Sequence, residues 1–331
     1  MIKTAVLQAS GYTGLALVEL LLRHPEVQIT ALTSRSQAGL TLDQVEPRLA
    51  GRSTLRFIAP DALDVAALDC VFVCAEHGQA ALLVEALLER GYQGAVIDLS
   101  ADFRLRNALD YPRWYGAAHP APGRLEQFVY GLADALPNTE RTRYVANPGC
   151  FASGINLTLL PLARLNLLEH ASINAITGAT GSGIKPSEAT HFPRREGNLR
   201  AYKVFAHQHL AEIKQCLGES LELDFVPISG PFSRGIWGTL NVSLCRAVEQ
   251  AELDQIYRDF YQGRRLLRLH SATLPELRFA VSTPFIDIGL LARGRRALLG
   301  FALDNLLKGA ASQALQNFNR LFNFDDAKGL L

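Results

Sequence analysis

Short apolar runs alternate with longer amphipathic segments along the first 100 residues of the chain. The runs have the length of β-strands, and the segments between them have the spacing of helices. The predicted strands are Lys3–Leu7, Val27–Leu32, Cys70–Cys74 and Ala95–Leu99, and the predicted helices are Leu15–Leu22 and Ala80–Leu88. This alternation favours a parallel sheet covered on both faces, with ligands bound at the carboxyl ends of the strands.

The pattern changes after Asp102, and the rest of the chain predicts a mixed α+β domain. A long apolar helix is predicted from Cys150 to about Leu168, after a short strand at Tyr144–Ala146. A last helix is predicted over Phe301–Phe322, where apolar side chains recur on one stripe. Strand-like runs lie between them at Ile173–Thr177, Leu223–Ile228, Gly238–Cys245 and around Phe279.

The length and composition favour a globular protein of two domains. The chain has 331 residues, and domains average roughly 150 residues. Hydrophobic residues make up 48% and charged residues 20%, as in ordinary globular proteins. With 33 Lys+Arg against 32 Asp+Glu the net charge is +1, so there is no electrostatic reason to expect a nucleic acid or a membrane as partner.

Cysteine usage and the absence of long apolar segments predict a cytoplasmic protein. The five cysteines are odd in number and scattered, which suits a reducing compartment better than a disulfide framework. The N-terminal apolar run is too short for a signal peptide, and no apolar run reaches the roughly 18 residues that span a membrane.

The turn after the first strand, Gln8–Gly14, is a candidate nucleotide-binding turn. Glycines there let the backbone approach a pyrophosphate at the N-terminus of the next helix; the alternative is a tight turn with no ligand. The second predicted strand is followed by Ser34 and Arg35, where NAD-binding proteins carry an acidic residue. Arginine beside hydroxyl groups suits a 2′-phosphate, so NADP(H) is favoured over NAD(H). The candidate cofactor ligands in this region are Ser10, Gly11, Tyr12, Thr13, Gly14, Ser34 and Arg35.

Cys150 is the candidate nucleophile among the five cysteines. It follows Asn147-Pro-Gly149 and starts the predicted long helix. The partial positive charge and free backbone N–H groups of a helix N-terminus favour a thiolate. The other four cysteines lie in or beside predicted strands or within a helical stretch, where a small buried hydrophobe is the usual role.

His207 and His209 are candidate partners for that thiolate. A thiolate nucleophile needs a base or an imidazolium, and a carboxylate can orient the imidazole; Glu212 follows five residues after His207. Two histidines at this spacing also occur in zinc sites, but further ligands are missing apart from the distant His191. We therefore expect no metal.

The segment Gly178–Lys185 nearly matches a P-loop. Ile184 separates Gly183 from Lys185, and Pro186 blocks a helix there, so nucleotide hydrolysis is not supported. The segment is expected to be an N–H-rich loop that closes over a cofactor through Ser182 and Gly183.

Six motifs in one order resemble the N-acetyl-γ-glutamyl-phosphate reductases of arginine biosynthesis. The resemblance covers nearly the whole chain, and the DLSADFR and NPGC motifs are highly specific. The motifs are Ser10–Gly14, Asp98–Arg104, Asn147–Cys150, His207–Glu212, Arg234–Gly235 and Asp304–Gly309.

The resemblance implies the fold and the reaction. It implies an α/β Rossmann-type NADP-binding domain from residues 1–149 with 302–331, and an α+β catalytic and dimerisation domain over 150–301, as in semialdehyde dehydrogenases. The implied reaction is NADPH-dependent reductive dephosphorylation of a small acyl phosphate to a semialdehyde, by a homodimer or homotetramer.

The resemblance also implies residue roles. Cys150 matches the family's nucleophile, His207 its acid/base, and Glu212 the carboxylate that supports His207. Asn305 falls where the family places a residue near the nicotinamide. The candidates for binding the substrate's phosphate and carboxylate are Arg104, His209 and Arg234.

Two departures from the family pattern leave the exact substrate open. Gln8 replaces the first glycine of the nucleotide fingerprint, and Phe151 stands where tyrosine is commoner. The alternatives are a reductase of an aminoadipyl or otherwise N-blocked acyl phosphate and an aspartate-semialdehyde-type dehydrogenase. A third, from another class, is an NADP(H)-binding sensor without turnover.

Overall fold

The computed structural model describes residues 1–136 and 142–331. These fold as two compact units: Met1–Pro148 with Ala310–Leu331 (unit 1) and Gly149–Gly309 (unit 2). The helices are α1 Tyr12–Leu21, α2 Leu42–Val45, α3 Ala80–Glu89, α4 Asp110–Tyr115, α5 Cys150–Arg164, α6 Phe192–Arg195, α7 His209–Leu217, α8 Gln250–Phe260 and α9 Ser312–Leu321. The strands are β1 Ile2–Leu7, β2 Val27–Thr33, β3 Phe57–Ile58, β4 Cys70–Val73, β5 Ala95–Asp98, β6 Phe128–Tyr130, β7 Tyr144–Ala146, β8 Leu168–Thr177, β9 Arg200–Ala201, β10 Glu222–Ser229, β11 Ile236–Leu244, β12 Leu267–Ser271, β13 Ile286–Arg293 and β14 Arg296–Leu303.

Unit 1 is built on a parallel seven-stranded sheet in the order β3-β2-β1-β4-β5-β7-β6. Every residue of β4 and β5 is buried, as expected of strands covered on both faces. The strand order reverses between β1 and β4. The carboxyl ends of these two strands therefore form the switch point at which open parallel sheets bind their ligands.

The last helix of the chain, α9, belongs to unit 1 and carries an unusual number of buried amides. Asn317 Nδ2 donates to the Gly131 carbonyl at 2.8 Å and to Asn147 Oδ1 at 3.1 Å. Asn147 Nδ2 donates in turn to the Ala310 carbonyl at 3.2 Å. These bonds satisfy polar groups inside the core and fix the segment that follows β7.

Unit 2 contains a mixed seven-stranded sheet in the order β12-β13-β14-β11-β8-β10-β9. Along β8, β10 and β11, buried residues alternate with exposed or half-buried ones, so the two faces of the sheet differ. Helix α5 packs against β8, β11 and β14. Phe301 of β14 fits between Gly154 of α5 and Gly238 of β11, where any Cβ would lie within 2.5 Å of its ring.

Three predicted elements differ from the structure. The segment Phe301–Phe322 was expected to be one helix. It contains the end of β14, a turn, a one-turn π-helix at Leu307–Ala311 and then α9. The prediction failed because the apolar stripe runs through a buried strand and then a buried helix. The segment around Phe279 is a 3₁₀ turn, with Phe279 58% exposed, rather than a strand. Helix α5 ends at Arg164 instead of near Leu168, because Asn166 turns the chain with φ 53°.

The second boundary between the units also lies later than expected. It falls between Gly309 and Ala310 rather than at residue 302. The reason is that β14 pairs with β11 and β13 along its whole length, so residues up to Leu303 belong to the second sheet.

Candidate active site

The turn between β1 and α1 has the geometry of a phosphate-binding turn. Gln8 adopts φ 55°, a left-handed conformation that favours glycine, which is why a fingerprint glycine suits this position. A Cβ on Gly14 would lie 2.5 Å from the Ala9 carbonyl oxygen, whereas one on Gly11 would meet nothing within 4 Å. Gly11 begins α1 without a side-chain cap, so the helix N-terminus fits a pyrophosphate. Tyr12 and Thr13 are the first two residues of that helix.

The end of β2 is tied to this turn. Ser10 Oγ and Ser34 Oγ lie 2.9 Å apart and share a hydrogen bond. Arg35 follows Ser34 directly and is exposed. No acidic residue stands at the end of β2, so this position fits a ribose that carries a phosphate better than one with a free 2′-hydroxyl.

The Asp98–Arg104 motif is a buried polar scaffold at the carboxyl end of β5. Asp98 accepts from the Ser100 amide at 3.0 Å and from Ser100 Oγ at 2.8 Å. Burial, with the charge of Asp102 nearby, raises the pKa of Asp98 to about 7. Burial works against ionisation of Asp102 as well, but His77 Nδ1 at 2.6 Å and two backbone amides beside α3 outweigh it and lower the pKa of Asp102.

Arg104, a predicted substrate ligand, is 8% exposed and contacts the backbone of unit 1. Its Nε donates to the Asn147 carbonyl at 2.8 Å and its Nη2 to the Leu99 carbonyl at 2.9 Å. The guanidinium thus joins the segments that follow β5 and β7. This geometry favours holding the Asn147–Pro148 turn over binding a substrate anion.

Cys150 is the first residue of α5, as predicted, and is half-buried. Gly149 precedes it as an extended N-cap without a side-chain bond. Gly309 packs against the cysteine so closely that a Cβ there would lie 2.7 Å from the Cys150 Cβ. By contrast, burial raises the pKa of Cys70 and of Cys74. Only Cys150 among the five starts a helix, the setting that favours a thiolate.

Glu212 contacts His209 and the start of α5, and its charge also acts on His207, whose pKa it raises. It is fully buried, and its Oε2 accepts the Gly149 amide at 2.9 Å. Its Oε1 lies 3.8 Å from His209 Nε2. Residues three apart on α7 share a face, which sets Glu212 beside His209.

His207 is a neutral, buried imidazole. Burial lowers its pKa to about 2, and the charges of His209 and Lys203 act in the same direction. Its Nδ1 accepts the His209 amide at 3.1 Å, so the neutral ring carries its hydrogen on Nε2. Phe151, which follows Cys150 in α5, lies with its ring centroid 5.4 Å from that of His207. The start of α5 and the His207–His209 segment therefore meet.

Asn305 joins two loops of unit 2. Its Oδ1 accepts the Gly235 amide at 2.7 Å, and its Nδ2 donates to Thr180 Oγ1 at 3.0 Å. Thr180 lies in the 3₁₀ turn Ala179–Ser182, after which Gly183 takes φ +83° in an exposed position. The predicted N–H-rich loop is thus present and anchored at one end.

Arg234 is paired within unit 2. Its Nε lies 2.6 Å from Asp304 Oδ2. Asp304 is fully buried and also accepts the amides of Ser282, Leu306 and Leu307. The charge of Arg234 is therefore balanced by a carboxylate, and 23% of its side chain stays exposed.

Two residues near this site carried no signal in the sequence. Tyr202 is half-buried, and its ring centroid lies 5.8 Å from that of His207. Arg195 ends the short helix α6 and is 9% exposed. Both lie in an irregular segment, where isolated polar residues have no periodicity to mark them.

Within residues 1–136 and 142–331, no group of three or more His, Cys, Asp or Glu side chains is placed to hold a metal ion. None of the helices in those ranges combines the length and the apolar composition needed to cross a membrane.

The fold and two family models define the class of protein. The model described as "Semialdehyde dehydrogenase, NAD binding domain" matches residues 3–142, and "Semialdehyde dehydrogenase, dimerisation domain" matches residues 150–305. Aspartate semialdehyde dehydrogenase II from Vibrio cholerae, solved with ASA, has a TM-score of 0.74 at 16% identity, with 98% of each chain covered. Aspartate semialdehyde dehydrogenase from Candida albicans, solved with NADP, has a TM-score of 0.69 at 13% identity, with 100% of each chain covered. The predicted Rossmann-type domain with a semialdehyde dehydrogenase-like second domain is confirmed.

Curated relatives narrow the class to one family. N-acetyl-gamma-glutamyl-phosphate reductases from Halorhodospira halophila and Methanosarcina barkeri are 38% and 37% identical, over 100% of this chain and 98% of each relative. A putative [LysW]-L-2-aminoadipate 6-phosphate reductase from Thermomicrobium roseum is also 38% identical, over 100% of this chain and 97% of its own length. The chain belongs to the N-acetyl-γ-glutamyl-phosphate reductase family, a family of oxidoreductases, as the motifs predicted.

Proposed function

We propose that this protein reduces N-acetyl-γ-glutamyl phosphate to N-acetylglutamate γ-semialdehyde with NADPH, in arginine biosynthesis. The observation that carries the proposal is Cys150 at the first turn of α5, beside a segment that buries a neutral His207. The 38% identity with a reductase of that name over the whole chain supports the choice of substrate.

The first step is attack of the Cys150 thiolate on the acyl carbon. A C–S bond forms, the bond from the acyl carbon to the phosphate oxygen breaks, and phosphate leaves with that electron pair. The product is a thioester, which divides one difficult displacement into two easier ones. In this proposal, backbone N–H groups in the first turn of α5 stabilise the oxyanion.

His207 acts in the second half of the reaction. When bound, NADPH supplies the hydride that reduces the thioester carbonyl. The neutral His207 carries its hydrogen on Nε2 and donates a hydrogen bond from it to the sulfur. The sulfur leaves as a thiolate with the electrons of the C–S bond as the hemithioacetal collapses to the aldehyde. Glu212 holds the Gly149 amide and His209, so its role is to position the start of α5.

The cofactor is bound by the turn after β1 and the end of β2, with Arg35 facing the 2′-phosphate. We assign Ser182, Gly183 and Asn305 to the nicotinamide side, since Asn305 anchors the loop that contains the other two. His209 and Arg234 are assigned to the substrate. Arg104 is assigned to the Asn147–Pro148 turn because two of its nitrogens already donate to carbonyls there.

The proposed assembly is a homodimer joined through the open face of the unit 2 sheet. Ile176, Val226 and Trp237 alternate with the residues buried on the opposite face, and a second copy would cover them. The matching family model is itself described as a dimerisation domain. Sedimentation should show a dimer that Thr239→Arg, on the same face, converts to a monomer; a monomeric unsubstituted protein would contradict the assignment.

We also propose a cytoplasmic location for the protein, which its five free thiols support.

A second candidate substrate is an aminoadipyl phosphate, favoured by the 38% identity with the Thermomicrobium roseum relative. Steady-state kinetics with N-acetyl-glutamyl, N-succinyl-glutamyl and aminoadipyl phosphates decides between them. We expect the highest kcat/KM for the N-acetyl-glutamyl compound. A higher kcat/KM for the aminoadipyl compound would make it the substrate in place of N-acetyl-γ-glutamyl phosphate. No turnover of any of the three compounds would favour an NADP(H)-binding sensor.

A further inference from the structure

Arg195 is a buried guanidinium that no carboxylate among the described residues balances. It is 9% exposed, and its single hydrogen bond among the described residues runs from Nη2 to the Thr177 carbonyl at 3.1 Å. Its Nε is buried and has no acceptor. A buried charge is costly unless it is paired, so the position calls for an anion that the part of the chain described by the structure does not supply.

Two other arginines considered for the site differ from Arg195 in their partners. Arg234 is half-buried, and although its Nε also lacks a well-aligned hydrogen bond, the Asp304 carboxylate 2.6 Å away balances its charge. Arg104 donates to two carbonyls. Burial lowers the pKa of the Arg195 guanidinium, and the charges that act on it are those of Tyr202 and Arg200. No acidic side chain within residues 1–136 and 142–331 is among them.

Tyr202 connects Arg195 to the reacting centre. Burial raises the pKa of Tyr202, the charge of Cys150 raises it further, and the charge of Arg195 lowers it. The Tyr202 ring also lies against His207. On the other side, Arg195 contacts Thr177 at the carboxyl end of β8, directly before the loop at Gly178–Gly183. Arg195 thus lies within reach of the groups around the nucleophile, in the same unit.

We propose that Arg195 is a substrate-binding residue that pairs with an anionic group of the acyl phosphate, its carboxylate or its phosphoryl group. The fork of N–H donors on a guanidinium matches both groups. The identity of the substrate in this proposal rests on the proposed function. The existence of an anion site at Arg195 is independent of that function.

The test measures anion binding without turnover. Inorganic phosphate and N-acetyl-L-glutamate are titrated separately, by calorimetry, into the unsubstituted enzyme and into Arg195→Met. We expect the variant to lose at least about tenfold in affinity for one of the two ligands, because charge-assisted hydrogen bonds of this kind are lost. The ligand that is lost identifies the group bound. The melting temperature of the free enzyme should hold or rise, because the substitution removes an unbalanced buried charge.

The matched control is Arg194→Met, at the neighbouring exposed arginine that pairs with Glu188; it should change neither affinity. Unchanged binding of both ligands in Arg195→Met, or no binding of either ligand to the unsubstituted enzyme, would overturn the proposal. The role of Arg195 would then be to stabilise the end of β8. Should Arg195→Met fail to fold, Arg195→Lys decides, since it keeps the charge and loses the fork; affinities equal to the unsubstituted enzyme for both ligands would again overturn it. An enzyme that binds an anion through Arg195 and turns over no acyl phosphate would refute only the proposed function.

Discussion

His207 and His209 have different surroundings, and at the scale of single residues this difference predicts different kinetic effects. His207 is neutral with its hydrogen on Nε2, whereas His209 lies against Glu212. His207→Asn should lower kcat by about 10²–10³-fold with a modest change in KM, because the Nε2 hydrogen bond to the charge that develops on the departing sulfur is lost. His209→Asn, its matched control, should act mainly on KM. Steady-state kinetics checks both, and the reverse pattern would exchange the two roles.

Arg35 determines the choice of cofactor in this account. It is exposed directly after Ser34 at the end of β2, and we propose that it binds the 2′-phosphate that NADH lacks. Arg35→Ala should weaken NADPH binding by about ten- to a hundredfold, the cost of a charge-assisted contact, and leave NADH binding nearly unchanged. Fluorescence titration with both cofactors measures this, with the exposed Arg52→Ala as control. Equal losses for NADPH and NADH would refute the assignment.

Asp98 should make stability depend on pH. Burial raises its pKa to about 7 in the folded protein, against about 3.9 in an unfolded chain. Between about pH 3.9 and pH 7 the folded state therefore binds more protons than the unfolded state. The contribution of Asp98 to the free energy of unfolding falls as the pH rises through this range. Urea unfolding of Asp98→Asn at several pH values should show a smaller decline than the unsubstituted protein, while exposed Asp61→Asn should follow the unsubstituted curve. Parallel curves for Asp98→Asn and the unsubstituted protein would contradict this pKa.

Among the elements, the π-helix at Leu307–Ala311 controls the position of the nucleophile. A Cβ on Gly309 would lie 2.7 Å from the Cys150 Cβ and 3.2 Å from its Cα, so the start of α5 would have to move. Overpacking of this kind costs about 1–3 kcal/mol. Gly309→Ala should therefore lower kcat and slow the alkylation of Cys150, whereas Gly123→Ala, where a Cβ meets nothing within 4 Å, should do neither. Normal alkylation in Gly309→Ala would show that α5 tolerates the added methyl group.

The elements show what the sequence could predict and where it could not. Buried parallel strands such as β4 and β5 are apolar throughout, so their positions follow from the pattern alone. The pattern failed at Phe301–Phe322, because a buried strand and a buried helix are both apolar and only pairing with β11 and β13 distinguishes them. Cys150 was found because its helix start is visible in the sequence. Arg195 was not, because its lack of a carboxylate is a property of the folded core.

At the scale of the whole molecule, the chain passes between the two units twice, and both passages lie close to Cys150. The chain leaves unit 1 after Pro148, two residues before Cys150, and returns after Gly309, which packs on Cys150. The resemblance to the reductase family implied such a returning C-terminal segment. The position of the second crossing depends on the pairing of β14, which the sequence pattern does not contain.

The central claim is that Cys150 forms a thioester with the acyl group, and rapid mixing without cofactor tests it most directly. The enzyme is mixed with N-acetyl-γ-glutamyl phosphate, phosphate release is followed in time, and the adduct is located by mass spectrometry. We predict a burst of up to one phosphate per site, an acyl group on Cys150, and neither in Cys150→Ser, because an unactivated hydroxyl is a far weaker nucleophile. No burst, or an acyl group on Cys70, Cys74, Cys216 or Cys245 instead, would contradict the covalent mechanism.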